Sequence, residues 1–214
     1  SIQFQGKHTR QDVGVPLARF VVLASGRGSN FEAIARAVKV RKIPAKIVAV
    51  LGNRKDAVVF EKANALGIEA ACLPKEADLI EKIKFLRPDW IVLAGYDRII
   101  SKEFIDSFRD SKGQSTIINI HPSLLPAFKG LHAYQMAFDA KVKATGVSIH
   151  RVEPELDAGP LLAQETFEIH QCKTAQEVEA LGLAIEHKLC RHVLYRLNQD
   201  EWQKNTKPHL ELKN

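Results

Sequence analysis

Cysteine is scarce in this 214-residue chain: Cys72, Cys172 and Cys190 are odd in number, far apart and without C-x-x-C spacing. A disulfide framework and a cysteine-based zinc site are therefore not expected, and a reducing, cytoplasmic setting is. Long hydrophobic runs are also missing. A membrane-spanning helix needs about eighteen apolar residues or more, whereas the longest runs here, such as 48–51 and 91–93, have the length of strands. Residues 1–18 carry Lys7, His8, Arg10 and Asp12 with no hydrophobic centre; they do not read as a secretory leader and are expected to form a flexible N-terminal extension. There is no internal repeat, no low-complexity stretch and no linker that would divide the chain. One domain over residues 19–198 is expected, followed by a loose polar tail over 199–214 that contains Pro208.

The charge balance is basic, at +6 with a pI near 9.2. Such a balance suits nucleic acid or small anionic ligands. The basic residues come in scattered groups, with Arg36, Lys39, Arg41, Lys42 and Lys46 in one and Lys141 and Lys143 in another. No aromatic-interleaved stripe joins them, so a solvated surface is the favoured reading and neither a nucleic acid nor a membrane is expected as partner. If the charge is functional, substrates bearing phosphate or carboxylate account for it.

Short continuous apolar runs at 19–24, 47–51, 90–94 and 116–120, with a shorter one at 69–73, read as buried strands. Between them, 31–38, 56–66, 78–86 and 101–108 have helical spacing, and Gly67 is placed to close the second helix. Alternation of this kind implies βαβ crossovers: a single Rossmann-like α/β domain with a mostly parallel twisted sheet flanked by helices. Residues 145–152 and 161–169, joined by a turn-rich loop, add an antiparallel hairpin. A helix over 132–140 precedes that hairpin, and a long one follows it, with Thr174 as cap, Glu177 at the capping-box position and a C-terminal limit near Leu197.

In open parallel sheets, ligands gather beyond the carboxyl ends of the strands, and three polar stretches fall there. The first, S-G-R-G-S-N at 25–30, stands between a strand and a helix, with Ser29 or Asn30 placed as the helix cap. Glycines let backbone N–H groups approach an anion, and the open donors of a first helical turn face it, so Gly28, Ser29 and Asn30 are candidate phosphate ligands. Neither the G-x-G-x-x-G of a dinucleotide site nor the lysine of a nucleotide-triphosphate loop is present. The second stretch is Gly95-Tyr96-Asp97-Arg98. The third runs from Thr116 to His132, where apolar β-formers lead into Asn119 and His121 ahead of a proline-punctuated loop. Residues two apart share a strand face, so one amide and one imidazole point together above the strand end, an arrangement able to stabilise negative charge and move a proton. Ser123 lies in that loop without a nucleophile-elbow pattern, so covalent catalysis is not implied.

S-G-R-G-S-N at 25–30, N-I-H-P-S-L-L-P at 119–126 and L-D-A-G-P at 156–160 stand in an order that closely resembles the folate-dependent formyltransferases, most nearly those that act on glycinamide ribonucleotide. The resemblance covers roughly residues 19–198. It implies a formyl transfer from 10-formyltetrahydrofolate to the amine of glycinamide ribonucleotide in purine synthesis, without a metal, by a monomer or homodimer. By resemblance, Asn119, His121 and Asp157 are the catalytic trio, Gly28, Ser29 and Asn30 hold the substrate phosphate, and Glu186 meets its ribose. Arg98, Ile99 and Ile100, with Asn119 and Val152 in the 146–157 segment, wall the folate pocket. His132 and His150 are secondary candidates. The chemistry fits these residue types. An amide and a protonated imidazole can donate to a tetrahedral oxyanion, and a carboxylate such as Asp157 favours the imidazolium and can accept the amine proton.

The chain departs from the family pattern in four places. The 73–78 connection is short where relatives often carry a basic residue for the folate glutamate tail. Asp97 replaces an apolar residue and calls for a partner such as Arg98. Tyr134 stands where a second histidine is common, and Thr145 replaces the first residue of a His-Gly pair. These are expected to tune specificity. A deformylase, which hydrolyses formyltetrahydrofolate on the same type of domain, is one alternative, and a formyltransferase for another amine such as an amino-sugar nucleotide is another. A non-catalytic binding protein that kept the fold is the third, and the intact trio argues against it.

Overall fold

The computed structural model describes residues 17–206, with side chains through residue 198. The expected extension therefore lies almost wholly outside the described residues, as does the tail beyond residue 206. Seven strands form one sheet in the order β3-β2-β1-β4-β5-β6-β7. These are β1 (Ala18–Leu23), β2 (Ala45–Gly52), β3 (Ala70–Cys72), β4 (Trp90–Leu93), β5 (Ile117–His121), β6 (Ala144–Arg151) and β7 (Leu161–Glu168). The first five run parallel, and β6 and β7 are antiparallel additions. The expected fold class holds in both respects.

Alternating side chains explain why the central strands are apolar throughout. Phe20 and Val22 of β1 enter a core shared with α1 (Ser29–Lys39), α2 (Val58–Ala65) and α6 (Ala175–Thr206). Val21 and Leu23 enter the opposite core, closed by α3 (Glu76–Leu86) and α4 (Lys102–Ser107). A parallel strand covered by helices on both faces has no polar side to show. Strand order reverses between β1 and β4, and the loops beyond the carboxyl ends of β1, β4 and β5 meet around that point. The remaining helix, α5 (Ala133–Asp139), precedes the hairpin and packs with α6.

Three local expectations change. Neither Ser29 nor Asn30 caps α1: both lie in its first turn, and the cap is Gly28, left-handed at φ 72°, without a side-chain bond. The cause is tertiary, since a Cβ on residue 28 would fall 2.3 Å from Val59 Cγ2 of α2. At the start of α6, Thr174 Oγ1 accepts from Glu177 N as expected (3.1 Å), but Glu177 Oε2 accepts from Lys173 N (2.6 Å) instead of closing the box on Thr174. Finally, α6 continues to Thr206, past residue 198 where the tail was expected to begin.

Candidate active site

Strand register brings the chemistry together. Asn119 of β5 pairs with His150 of β6, and His121 pairs with Ser148. The loop between β6 and β7 returns Asp157 to the same place, its backbone left-handed at φ 51°. Asp157 Oδ1 lies 3.6 Å from His121 Nδ1 and 3.7 Å from His150 Nε2, and its Oδ2 accepts from Gly130 N at 2.8 Å. The carboxylate is thus tied to the 122–131 loop and faces two imidazoles. His121, His150 and Asp157 are all buried, and Asn119 is half-buried.

The ring nitrogens can be assigned from their neighbours. His150 Nδ1 is 2.9 Å from Arg151 O, which can only accept, so Nδ1 carries a proton. Burial disfavours a second proton on this ring, and the nearby His121 adds to that effect; the Arg151 carbonyl and Asp157 oppose it without reversing it. A neutral His150 leaves Nε2 free to accept from Asn119 Nδ2, at a long 3.4 Å. His121 Nε2 is 2.8 Å from Phe128 O. Both nitrogens of His121 therefore face protein oxygens, one a carbonyl and one a carboxylate. That differs from the expectation of a ring free to donate to an oxyanion, and it leaves the second N–H of Asn119 as the uncommitted donor of the group. Ser123 Oγ donates to Ala127 O, a loop contact that keeps it out of the chemistry.

After β1 the glycine loop enters α1 at Gly28, Ser29 and Asn30, whose first-turn N–H groups have no intrahelical acceptor. Asn30 Nδ2 donates to Glu186 Oε1 (3.1 Å), and Tyr134 Oη donates to Glu186 Oε2 (2.7 Å). Asp97 Oδ1 accepts from Ser25 Oγ (3.0 Å) and Asn53 Nδ2 (2.8 Å), and Oδ2 accepts from Arg54 Nε (2.6 Å). Burial would push the Asp97 carboxyl up, but the hydrogen bonds from Asn53, Arg54 and Ser25 outweigh it and hold it below the usual carboxylate range. The partner is thus Arg54, from the loop after β2. Arg98, the expected partner, instead donates to Pro74 O.

The other candidates are distributed unevenly. Ile100 and Val152 pack against the same core cluster beside the cleft, whereas Ile99 is 81% exposed and Arg98 is on the surface. His132 is an exposed N-cap of α5 with no side-chain cap bond, so of the two secondary histidines only His150 joins the trio. The basic residues are less scattered in space than in sequence: Arg36, Lys39 and Lys42 line a groove of about 690 Å³ with Lys62, His187 and Arg191, with Ser29 at its edge. Sequence reasoning missed Ser25, Asn53 and Arg54 as a unit. The only available signal was the charge of Asp97, which demanded a partner. Among the described residues no cluster of three or more His, Cys, Asp or Glu could hold a metal ion, and no helix is long and apolar enough to cross a membrane.

A parallel sheet with a switch point, a glycine loop leading into a helix after β1 and a cluster of Asn119, His121, His150 and Asp157 after β5 are the frame of an α/β enzyme of group transfer. The formyl transferase family model matches residues 18–194, and the chain belongs to that family. It is 36% identical to the phosphoribosylglycinamide formyltransferase of Bacillus subtilis (strain 168) over 190 residues, covering 85% of this chain and 95% of that protein. The enzyme of the same name from Escherichia coli (strain K12) is 35% identical, covering 79% of this chain and 82% of its own length. The crystal structure of phosphoribosylglycinamide formyltransferase from Bacillus halodurans superposes with a TM-score of 0.81 at 32% identity, covering 88% of this chain and all of that one.

Proposed function

We propose that this chain transfers the formyl group of 10-formyltetrahydrofolate to the primary amine of glycinamide ribonucleotide. The observation that carries the reading is the placing of Asp157 against His121 and His150, with Asn119 beside His150, in the same sheet whose first strand leads into the glycine loop at residues 28–30. The similarity to phosphoribosylglycinamide formyltransferases over most of their length supports the choice of substrate. The apolar pair Ile100 and Val152 offers a wall for the folate rings, and the free cysteines fit the cytoplasmic setting expected from the sequence.

In this reading the amine nitrogen attacks the formyl carbon, and the carbonyl π pair moves onto oxygen. Asn119 donates its uncommitted N–H to that oxyanion. His121, bridging Phe128 O and Asp157, contributes mainly through its charge when doubly protonated, a form that satisfies both of its oxygen neighbours. Asp157 accepts the proton released by the amine, directly or through water. Collapse re-forms the carbonyl and breaks the bond from the formyl carbon to the folate nitrogen, which takes up the proton that Asp157 accepted, directly or through water. Gly130 N keeps the carboxylate in place throughout.

The test is an absorbance assay of folate product with and without glycinamide ribonucleotide. Product only in the presence of the amine supports transfer. Equal turnover without it overturns the reading in favour of the hydrolase, and turnover only with an amino-sugar nucleotide assigns a different acceptor.

A further inference from the structure

Both carboxylate oxygens of Glu186 accept hydrogen bonds from within the chain. The donors are Asn30 of α1 and Tyr134 of α5, so three elements meet in one buried hydrogen-bonded chain. Tyr134 reaches this position because residue 182 is glycine: a Cβ there would stand 2.1 Å from the tyrosine oxygen. The ring also packs edge-on against Phe167, with centroids 6.3 Å apart.

The chemistry of the partners fixes the direction of each bond. An ionised carboxylate only accepts, so Asn30 must give it Nδ2 and turn Oδ1 elsewhere. That oxygen is buried and has no hydrogen-bond partner among the described residues. Folded proteins seldom leave such an atom unpaired, and a bound group is a common explanation. A phosphate monoester dianion cannot be that group, because its oxygens are acceptors too. It is served by the backbone N–H groups of residues 28–30, while Oδ1 calls for a hydroxyl or amide N–H.

We propose that Tyr134 is a positioning residue which, through Glu186, locks the Asn30 side chain with its oxygen as acceptor for a hydroxyl or amide N–H of the ribonucleotide, leaving the phosphate to the backbone. The proposal rests on the substrate reading above. It also makes the binding step sensitive to the protonation of Glu186. Burial pushes that carboxyl up, the bonds from Tyr134 and Asn30 pull it back, and Glu179 on the same helix adds to the rise. Cys190, also on α6, is fully buried and interacts with the same carboxylate. When Glu186 takes a proton it loses its charge and one acceptor: a proton facing Asn30 breaks that bond, and one facing Tyr134 reverses the bond to the hydroxyl.

Steady-state kinetics on the full chain test this. Tyr134→Phe keeps the ring and removes the donor; it is expected to raise KM for glycinamide ribonucleotide about 5–20-fold, the worth of one buried hydrogen bond. Turnover and the KM for 10-formyltetrahydrofolate should stay close to wild type, and the acid limb of kcat/KM should move to higher pH. Tyr134→His, which restores a donor, should recover most of the affinity. Glu186→Gln removes the charge and leaves one acceptor oxygen for two donors, which also weakens the hold on Asn30 and should raise the same KM. An unchanged KM and pH profile in Tyr134→Phe, or an equal loss in turnover and both KM values, overturns the proposal. A wild-type enzyme without saturable dependence on glycinamide ribonucleotide would instead overturn the substrate reading. The lock is then read directly from the Asn30 side-chain amide resonances, which must shift in Tyr134→Phe and would sink the proposal if they do not.

Discussion

Two buried polar clusters sit at the same end of the sheet and are built differently. Around Asp157, the side-chain contacts are long: 3.6 Å to His121, 3.7 Å to His150 and 3.4 Å between Asn119 and His150, while the short bonds run to the backbone of Gly130, Phe128 and Arg151. Around Glu186, every contact is a formed hydrogen bond of 2.7–3.1 Å. The loose cluster fits groups that must change partners as charge moves, since catalytic hydrogen bonds are commonly long until substrate tightens them. The tight one fits a site whose work is to hold a shape. In the proposed reading chemistry belongs to the first cluster and recognition to the second, and substitutions should separate them.

The sharpest break is Asp157→Asn. Asparagine tolerates the left-handed backbone at φ 51°, so the fold is spared while the proton acceptor is lost. Turnover should fall by about 10²–10⁴-fold with little change in KM for the ribonucleotide; stopped-flow or steady-state rates at saturation measure it. A large KM effect would erase the division between the clusters. Asn119→Ala removes the uncommitted oxyanion donor and should cost about 10²–10³-fold in turnover. If its effect is far smaller than that of His121→Ala, the histidine is the main donor and must leave Phe128 O on substrate binding.

A smaller effect concerns stability. Because burial holds His150 below its ordinary pKa, the unfolded chain, near 6.5 for a free histidine, binds the proton first. Stability from this group is therefore intact well above that value and falls as pH drops through it, by at most about 1.4 kcal/mol per pH unit for a single proton. Urea midpoints between pH 8 and 5.5 should fall less steeply in His150→Gln than in wild type. Equal slopes would mean that the ring takes up its proton as readily in the folded protein as in the unfolded chain.

Much of this arrangement was legible in the sequence because it rests on short-range rules. Continuous apolar runs mark the doubly covered strands, and the two-residue period of a strand places Asn119 and His121 on one face. What escaped was set by packing between distant segments. The preference of serine and asparagine for caps pointed to Ser29 or Asn30, yet Gly28 took the role because α2 crosses too close for any side chain. The charge of Asp97 called for a neighbour, and the nearest in sequence was Arg98; the guanidinium that arrived belongs to Arg54, 43 residues away. The Tyr134–Glu186 bond spans 52 residues and could not be inferred from either residue's local context. The polar composition near residue 198 suggested a tail, but polar residues are equally at home in a helix that has left the core.

The bond between Asn30 and Glu186 joins positions 156 residues apart. A cradle made this way does not exist in any partial product of folding: the first helix can form early, but its asparagine has no carboxylate until α6 has docked across the sheet. Contacts of such long range form late and carry most of the loop-closure cost. A ribonucleotide that needs both partners thus binds only the finished fold, and its binding energy is added to the stability of the whole domain rather than to the glycine loop alone.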